Sequence, residues 1–286
     1  MLDRPARWPA GRGRQAAISG PSVSTRSLCA VLLLLCGSAV AQERPAKWRS
    51  VELGRSHEGR PIRMELLGDG PQRVLVIAGV HGNEPGGPAL ARRLGQYLRQ
   101  HPQLLAGCTV GIVTEVNPDG LARGSRTNAA GVDLNRNYPS SDWRPARPGE
   151  LDHGRFPASE PETRAVMRAV MLLEPQRIVD IHSITGERQC NNYDGPGHEL
   201  AELLSGLNGY PVTASIGYAT PGCLGSWAGV DNGIPTITLE LPRGARVEDC
   251  WQVNRVALVA FVQEPGGVPT QPALAGQAAG QAAAGR

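Results

Sequence analysis

The stretch Val74-Leu75-Val76-Ile77-Ala78-Gly79-Val80-His81-Gly82-Asn83-Glu84-Pro85-Gly86-Gly87 decides how this chain is read. Its opening is aliphatic and mostly β-branched, the composition of a strand buried on both faces, and the Gly/Pro cluster then ends it. Polar residues at that point hang from the carboxyl end of a central strand, where open α/β sheets place their sites. A second strand-like run, Arg177-Ile178-Val179-Asp180-Ile181-His182, finishes in a histidine. His81 and Glu84 close together, with His182 distant, have the spacing of a catalytic zinc site, in which water takes the fourth position. By itself a His-x-x-Glu pair is common, and a histidine after a strand is usually an ordinary satisfied polar residue. The rest of the chain carries the decision.

Around these two runs an alternating α/β pattern unfolds. A hairpin is expected between strands near Val51 and Met64, then the central strand 74–79. Residues 88–99 form an amphipathic helix with Leu90, Leu94 and Leu98 on one face. Strand 109–114 leads to the turn Asn117-Pro118-Asp119-Gly120, and a long polar loop runs from Leu121 to Pro157. Ser159 and Glu162 have the spacing of a capping box opening a helix to about Leu173. Strand 177–181, helix 198–207, strand 235–240 and a last helix at 246–262 complete the pattern.

Several motifs stand in one order along the chain. They are His81 to Glu84, Asn117 to Gly120, Arg126, Gly131 to Pro139, Ser159 to Thr163, Gly217 to Gly222, and the run Thr236 to Glu240. Together they resemble the zinc carboxypeptidase family over about Leu53 to Val262, most of all its bacterial murein peptide amidase branch. That branch cleaves the γ-D-glutamyl–meso-diaminopimelate bond of cell-wall peptides. The resemblance implies a single α/β domain, residues 42–264, with a mixed β-sheet flanked by helices on both faces, and one zinc per chain. It also implies roles: Glu240 as general base, Arg126 as the oxyanion-stabilising arginine, and Asn135 with Arg136 as the grip on a terminal carboxylate. Asp133 would orient the first zinc histidine, Tyr218 would close over substrate, and Gly225 would floor the pocket for the residue after the cut, leaving space there. Arg123 is the nearest rival to Arg126. Asn192, Asp194 and Thr220 are candidates for recognising the far end of diaminopimelate. Asn83 departs from the arginine that the family's animal digestive enzymes carry at this position. The rival readings are an N-acyl amino acid deacylase, sharing the His-x-x-Glu…His site, and a catalytically inactive murein-binding module.

The ends and composition bound the rest. Net charge is +3, with Lys47 the only lysine, which argues against a nucleic-acid partner. Leu28 to Ala41 is apolar, too short for a resident membrane span, and ends in Ala39-Val40-Ala41. It reads as a secretory signal cleaved after Ala41, with Val23 as a candidate initiator and the periplasm as destination. Removing it takes Cys29 and Cys36. Cys108, Cys190, Cys223 and Cys250 remain in an oxidising compartment, which permits one or two bridges in three connectivities, with Cys190–Cys223 the pairing put forward. The Ala/Gly/Gln/Pro-rich stretch 265–286 reads as a disordered tail.

Overall fold

The aliphatic run becomes β3 (Gln72–Ala78), a central strand of an eight-stranded sheet, in a computed structural model that describes residues 47–265. The leader and signal segment 1–41 and the tail from residue 266 lie outside the described residues. β3 has parallel neighbours on both sides, β4 (Cys108–Val113) and β5 (Arg177–Ile184). Past β5 comes the parallel β8 (Thr236–Pro242), then β6 (Cys190–Asp194), antiparallel to β8, and the short β7 (Val212–Thr213). On the other side the hairpin of β1 (Trp48–Arg55) and β2 (Pro61–Gly68) adds antiparallel to β4. The order is β1-β2-β4-β3-β5-β8-β6-β7, a mixed sheet.

Side chains of a strand alternate between faces, so β3 feeds two cores. Val74 and Val76 pack with Val179, Ile181, Ile237 and Leu239 under α1 (Gly86–Gln100), α4 (His198–Asn208) and α5 (Val247–Gln263). Leu75 and Ile77 face the other way, against Ala165, Val166, Ala169 and Val170 of α3 (Pro161–Leu173) and the hairpin's Ile62 and Met64. The α1 stripe of Leu90, Leu94 and Leu98 is buried as its spacing predicts. Strands buried on both faces explain why these runs are continuously apolar.

Three of the chain's elements depart from the sequence reading. The 121–157 loop starts inside a helix: Asn117 caps α2 (Pro118–Arg123), its Oδ1 accepting the Gly120 N–H at 2.8 Å. The polar β6 went unrecognised because Asn, Asn and Asp are poor strand formers. It is held by its ladder to β8. The capping box at Ser159 and Glu162 is not made. Glu160 occupies the N-cap in extended conformation, with no side-chain cap, and Ser159 Oγ donates to Glu160 Oε1. Glu162 is turned inward, accepting from the His57 backbone N–H and from Asn128 Nδ2, both at 3.1 Å. Burying those donors unpaired would cost more than a surface cap returns.

Candidate active site

His81 leaves the sheet just beyond β3, Glu84 precedes α1, and His182 lies on β5 beside them. The chain can turn this tightly after His81 because Gly82 lies against the Gly120 backbone, where a Cβ would overlap main-chain atoms. Asn117 reinforces the contact, donating from Nδ2 to Val80 O at 3.2 Å. All three side chains are buried, and their ligand atoms lie within 4.8 Å of one another. His81 Nδ1 is 3.2 Å from Glu84 Oε1, His182 Nδ1 is 3.2 Å from Glu84 Oε2, and the two Nδ1 atoms are 3.1 Å apart.

The outer nitrogens explain the inner ones. His81 Nε2 donates to Asp133 Oδ1 at 3.0 Å, and His182 Nε2 donates to Asp180 Oδ2 at 2.8 Å. Each ring therefore carries its proton on the outside and turns an Nδ1 lone pair inward. Two such lone pairs and a carboxylate at this spacing repel one another unless a cation is shared among them. The donor set, two imidazoles and a carboxylate each oriented from behind, fits a zinc ion. Burial disfavours the charged form of Glu84, and backbone donation offsets part of this. Ser183 N–H adds a bond to Glu84 Oε2 at 2.9 Å. Sequence reasoning missed Asp180. The signal was present, since Asp180 and His182 are two apart on one strand and so share a face.

A cavity of about 450 Å³ opens on this triad. Its wall includes Glu240, Arg126, Asn135, Arg136, Tyr218, Asn192 and Thr220. Glu240 lies on β8 directly across from His182. Its Oε2 is buried without a hydrogen-bond partner among the described residues, and burial pushes its carboxyl up, with the nearby Glu84 charge adding to this. Arg126 donates from Nε to Asp133 Oδ2 at 3.0 Å, so one carboxylate aligns both His81 and the arginine. Asp133 is kept ionised despite deep burial by His81 and Arg126. Arg123 turns outward instead, to pair with the exposed Glu58. Asn135 Oδ1 accepts the Leu224 N–H at 2.9 Å, while Arg136 Nη1 donates to Asn135 O at 2.6 Å, tying this pair to the segment around Cys223. Tyr218 is half exposed at the rim.

Gly225 differs from expectation. It is buried at the start of a π-helix, Gly225–Asp231, and is not on the cavity wall. The space a side chain would need there is filled by the Asp194 carboxylate, which a Cβ at this position would overlap. Asp194 stands behind Asn192, whose Nδ2 reaches its Oδ2 at 3.4 Å. Burial, then the nearby Asp142 charge, pushes the Asp194 carboxyl up to about 6. The Cys190–Cys223 bridge is not formed either. Cys108, Cys190, Cys223 and Cys250 are all free and buried; Cys190 is on β6 opposite Glu240, while Cys223 Sγ accepts the Ser226 N–H at 3.2 Å. Arg243 is a wall residue that sequence reasoning overlooked. It follows β8 and donates from Nη2 to Glu84 Oε1 at 2.8 Å and to Ser183 O at 3.1 Å.

A sequence model of the zinc carboxypeptidase family matches residues 37–195. A murein peptide amidase A of Escherichia coli (strain K12) is 35% identical over 207 residues, covering 66% of this chain and 79% of that protein. The crystal structure of a murein-tripeptide amidase from Escherichia coli O157 aligns with TM-score 0.59 at 29% identity, covering 75% of this chain and 91% of the other. Bovine thrombin-activatable fibrinolysis inhibitor, 21% identical, shares the fold with TM-score 0.64 over 77% of this chain and 88% of its own.

Proposed function

This chain belongs to the zinc carboxypeptidase family, a family of hydrolases, and on that premise we propose that it cleaves murein peptides at the γ-D-glutamyl–meso-diaminopimelate bond. His81, Glu84 and His182 would hold the zinc. The observation that carries the reading is their convergence, each ring oriented by its own aspartate, on a cavity that also presents an unpartnered Glu240 carboxylate. When bound, the metal supplies Lewis acidity that polarises the scissile carbonyl and acidifies water.

The protein's own groups divide the remaining work. Glu240 takes the attacking water's proton and passes it to the leaving amine, a role its raised proton affinity suits. Arg126, aligned by Asp133, stabilises the oxyanion that develops on the carbonyl oxygen. Arg136 and Asn135 take the terminal carboxylate, for which a planar guanidinium is well shaped. Tyr218 closes the rim. Asp194, with no cationic partner among the described residues, lies behind Asn192 of the cavity wall, and we assign it to the far end of the side chain after the cut. A part-buried carboxylate there suits the amine of diaminopimelate.

Murein peptides lie outside the cytoplasm. Export through the signal ending at Ala41, leaving a domain of residues 42–264, is therefore part of the proposal. Among the described residues no helix is long and apolar enough to cross a membrane. The test is a panel of purified substrates: L-Ala-γ-D-Glu-meso-diaminopimelate, the same peptide extended by D-Ala, N-succinylglutamate, and an N-blocked peptide ending in lysine. The tripeptide is expected to be fastest. Faster turnover of N-succinylglutamate would make the protein a deacylase, and of the lysine peptide a general carboxypeptidase.

A further inference from the structure

A γ-linked glutamyl substrate carries a group that an ordinary peptide lacks. The chain runs through the glutamyl side chain, so its α-carboxylate is free and stands a short methylene spacer from the scissile carbonyl. This chemistry rests on the murein-peptide reading above. The tripeptide thus brings carboxylates at its terminus, at the far end of diaminopimelate and beside the bond to be cut.

The cavity wall carries Arg126, Arg136, Arg188 and Arg243. Its carboxylates, Glu84 and Glu240, are assigned to the metal and to proton transfer. Arg126 is committed to the oxyanion and Arg136 to the terminal carboxylate, which leaves two. Arg188 is exposed and held only through Nε to Thr185 O at 3.2 Å. Arg243 is placed more firmly. Its backbone N–H bonds Ile184 O at 2.9 Å, and its Nη2 is anchored on both Glu84 Oε1 and Ser183 O. Nε and Nη1 make no hydrogen bond among the described residues, so these donors of a pre-oriented guanidinium remain for a ligand. The location also fits. Arg243 stands beside Glu84 and the end of β5, while the terminal-carboxylate pair is tied to Leu224 on another wall. Substrate ahead of the cut runs away from that pair and past the metal ligands.

We infer that Arg243 is a specificity-determining residue whose guanidinium pairs with the free α-carboxylate of the γ-linked glutamyl residue, selecting the acid over its amide. The test compares kcat/KM on L-Ala-γ-D-Glu-meso-diaminopimelate and on the isoglutaminyl peptide, identical except that the α-carboxylate is a carboxamide. Wild-type protein is expected to prefer the acid by roughly 10- to 100-fold, the range of a charge-assisted pair. In Arg243→Gln the ratio should collapse to near one, and in Arg243→Lys part of it should survive. Zinc content is measured beside each rate, because Arg243 also touches Glu84. If Arg243→Gln loses zinc, the wild-type ratio and the lysine variant still decide. Equal wild-type rates overturn the inference, as does a preference that persists in Arg243→Gln or vanishes in Arg188→Gln instead. Failure to cleave either peptide, with turnover of a peptide ending in lysine, overturns the murein reading on which the inference rests.

Discussion

Asp133→Asn is the most informative single-atom change in this site. The Asp133 carboxylate accepts from His81 Nε2 at 3.0 Å and Asn135 N–H at 3.1 Å on Oδ1, and from Arg126 Nε at 3.0 Å on Oδ2. An amide of the same shape has one acceptor and one donor. If its oxygen stays on His81, its NH₂ faces the Arg126 N–H; if it flips, the NH₂ faces His81 instead. One orientation costs the arginine its alignment, and the other destroys the tautomer that turns Nδ1 inward. Loss of such a partner typically costs 10- to 100-fold in metal affinity or activity, about 1.4–2.7 kcal/mol. Asp180→Asn is the natural control. Asp180 Oδ1 has no hydrogen-bond partner among the described residues, so an amide can keep its oxygen on His182 and turn its NH₂ to the idle side. Its effect should sit at the low end of that range. Zinc dissociation constants from chelator competition, with kcat on the tripeptide, separate the two. An Asp133→Asn protein within twofold of wild type in both measurements would refute the reasoning.

The remaining predictions address separate parts of the site. Glu240→Gln should keep its zinc and lose turnover by roughly two to four orders of magnitude, since an amide cannot take the proton; metal analysis beside initial rates checks this. Arg136→Ala should raise KM on the tripeptide by about tenfold or more, and blocking the terminal carboxylate with D-Ala should slow the wild type similarly, both read by steady-state kinetics. Asp194, held up to about 6, keeps its proton in the folded state after the unfolded chain has lost it. The native state thus binds more protons between the ordinary aspartate range and about 6, and this group's contribution to stability falls as pH rises through that window. Asp194→Asn should therefore gain on wild type by on the order of 2 kcal/mol from about pH 4 to about pH 7 in urea titrations. An unchanged difference would mean that Asp194 ionises freely.

Much of this architecture was legible because a few runs obey one rule each. β3, β5 and β8 carry the chain's apolar runs because helices or the hairpin cover both faces, and His81, His182 and Glu240 then stand towards their carboxyl ends. Where two physical demands compete, the sequence reads less clearly. Ser159 and Glu162 have capping-box spacing, but buried donors on His57 and Asn128 claim the carboxylate. A glycine at 225 looks like room for substrate, yet a neighbouring strand that sequence periodicity did not reveal delivers Asp194 into that room. Arg243 sits in a Pro-Arg-Gly turn where arginine is unremarkable by composition, and only the fold shows that it reaches Glu84. Cys190 and Cys223, paired by expectation, stay free: Cys223 Sγ accepts the Ser226 N–H, and Cys190 lies on β6 opposite Glu240.

The central claim is that His81, Glu84 and His182 form one metal centre. Zinc stoichiometry of the purified protein, measured by inductively coupled plasma mass spectrometry beside His81→Ala and His182→Ala, tests it most directly. About one zinc per chain is expected in the wild type, because three protein ligands leave one tetrahedral position open, and most of it should be lost in either variant. Stoichiometric zinc retained in both variants would contradict the account.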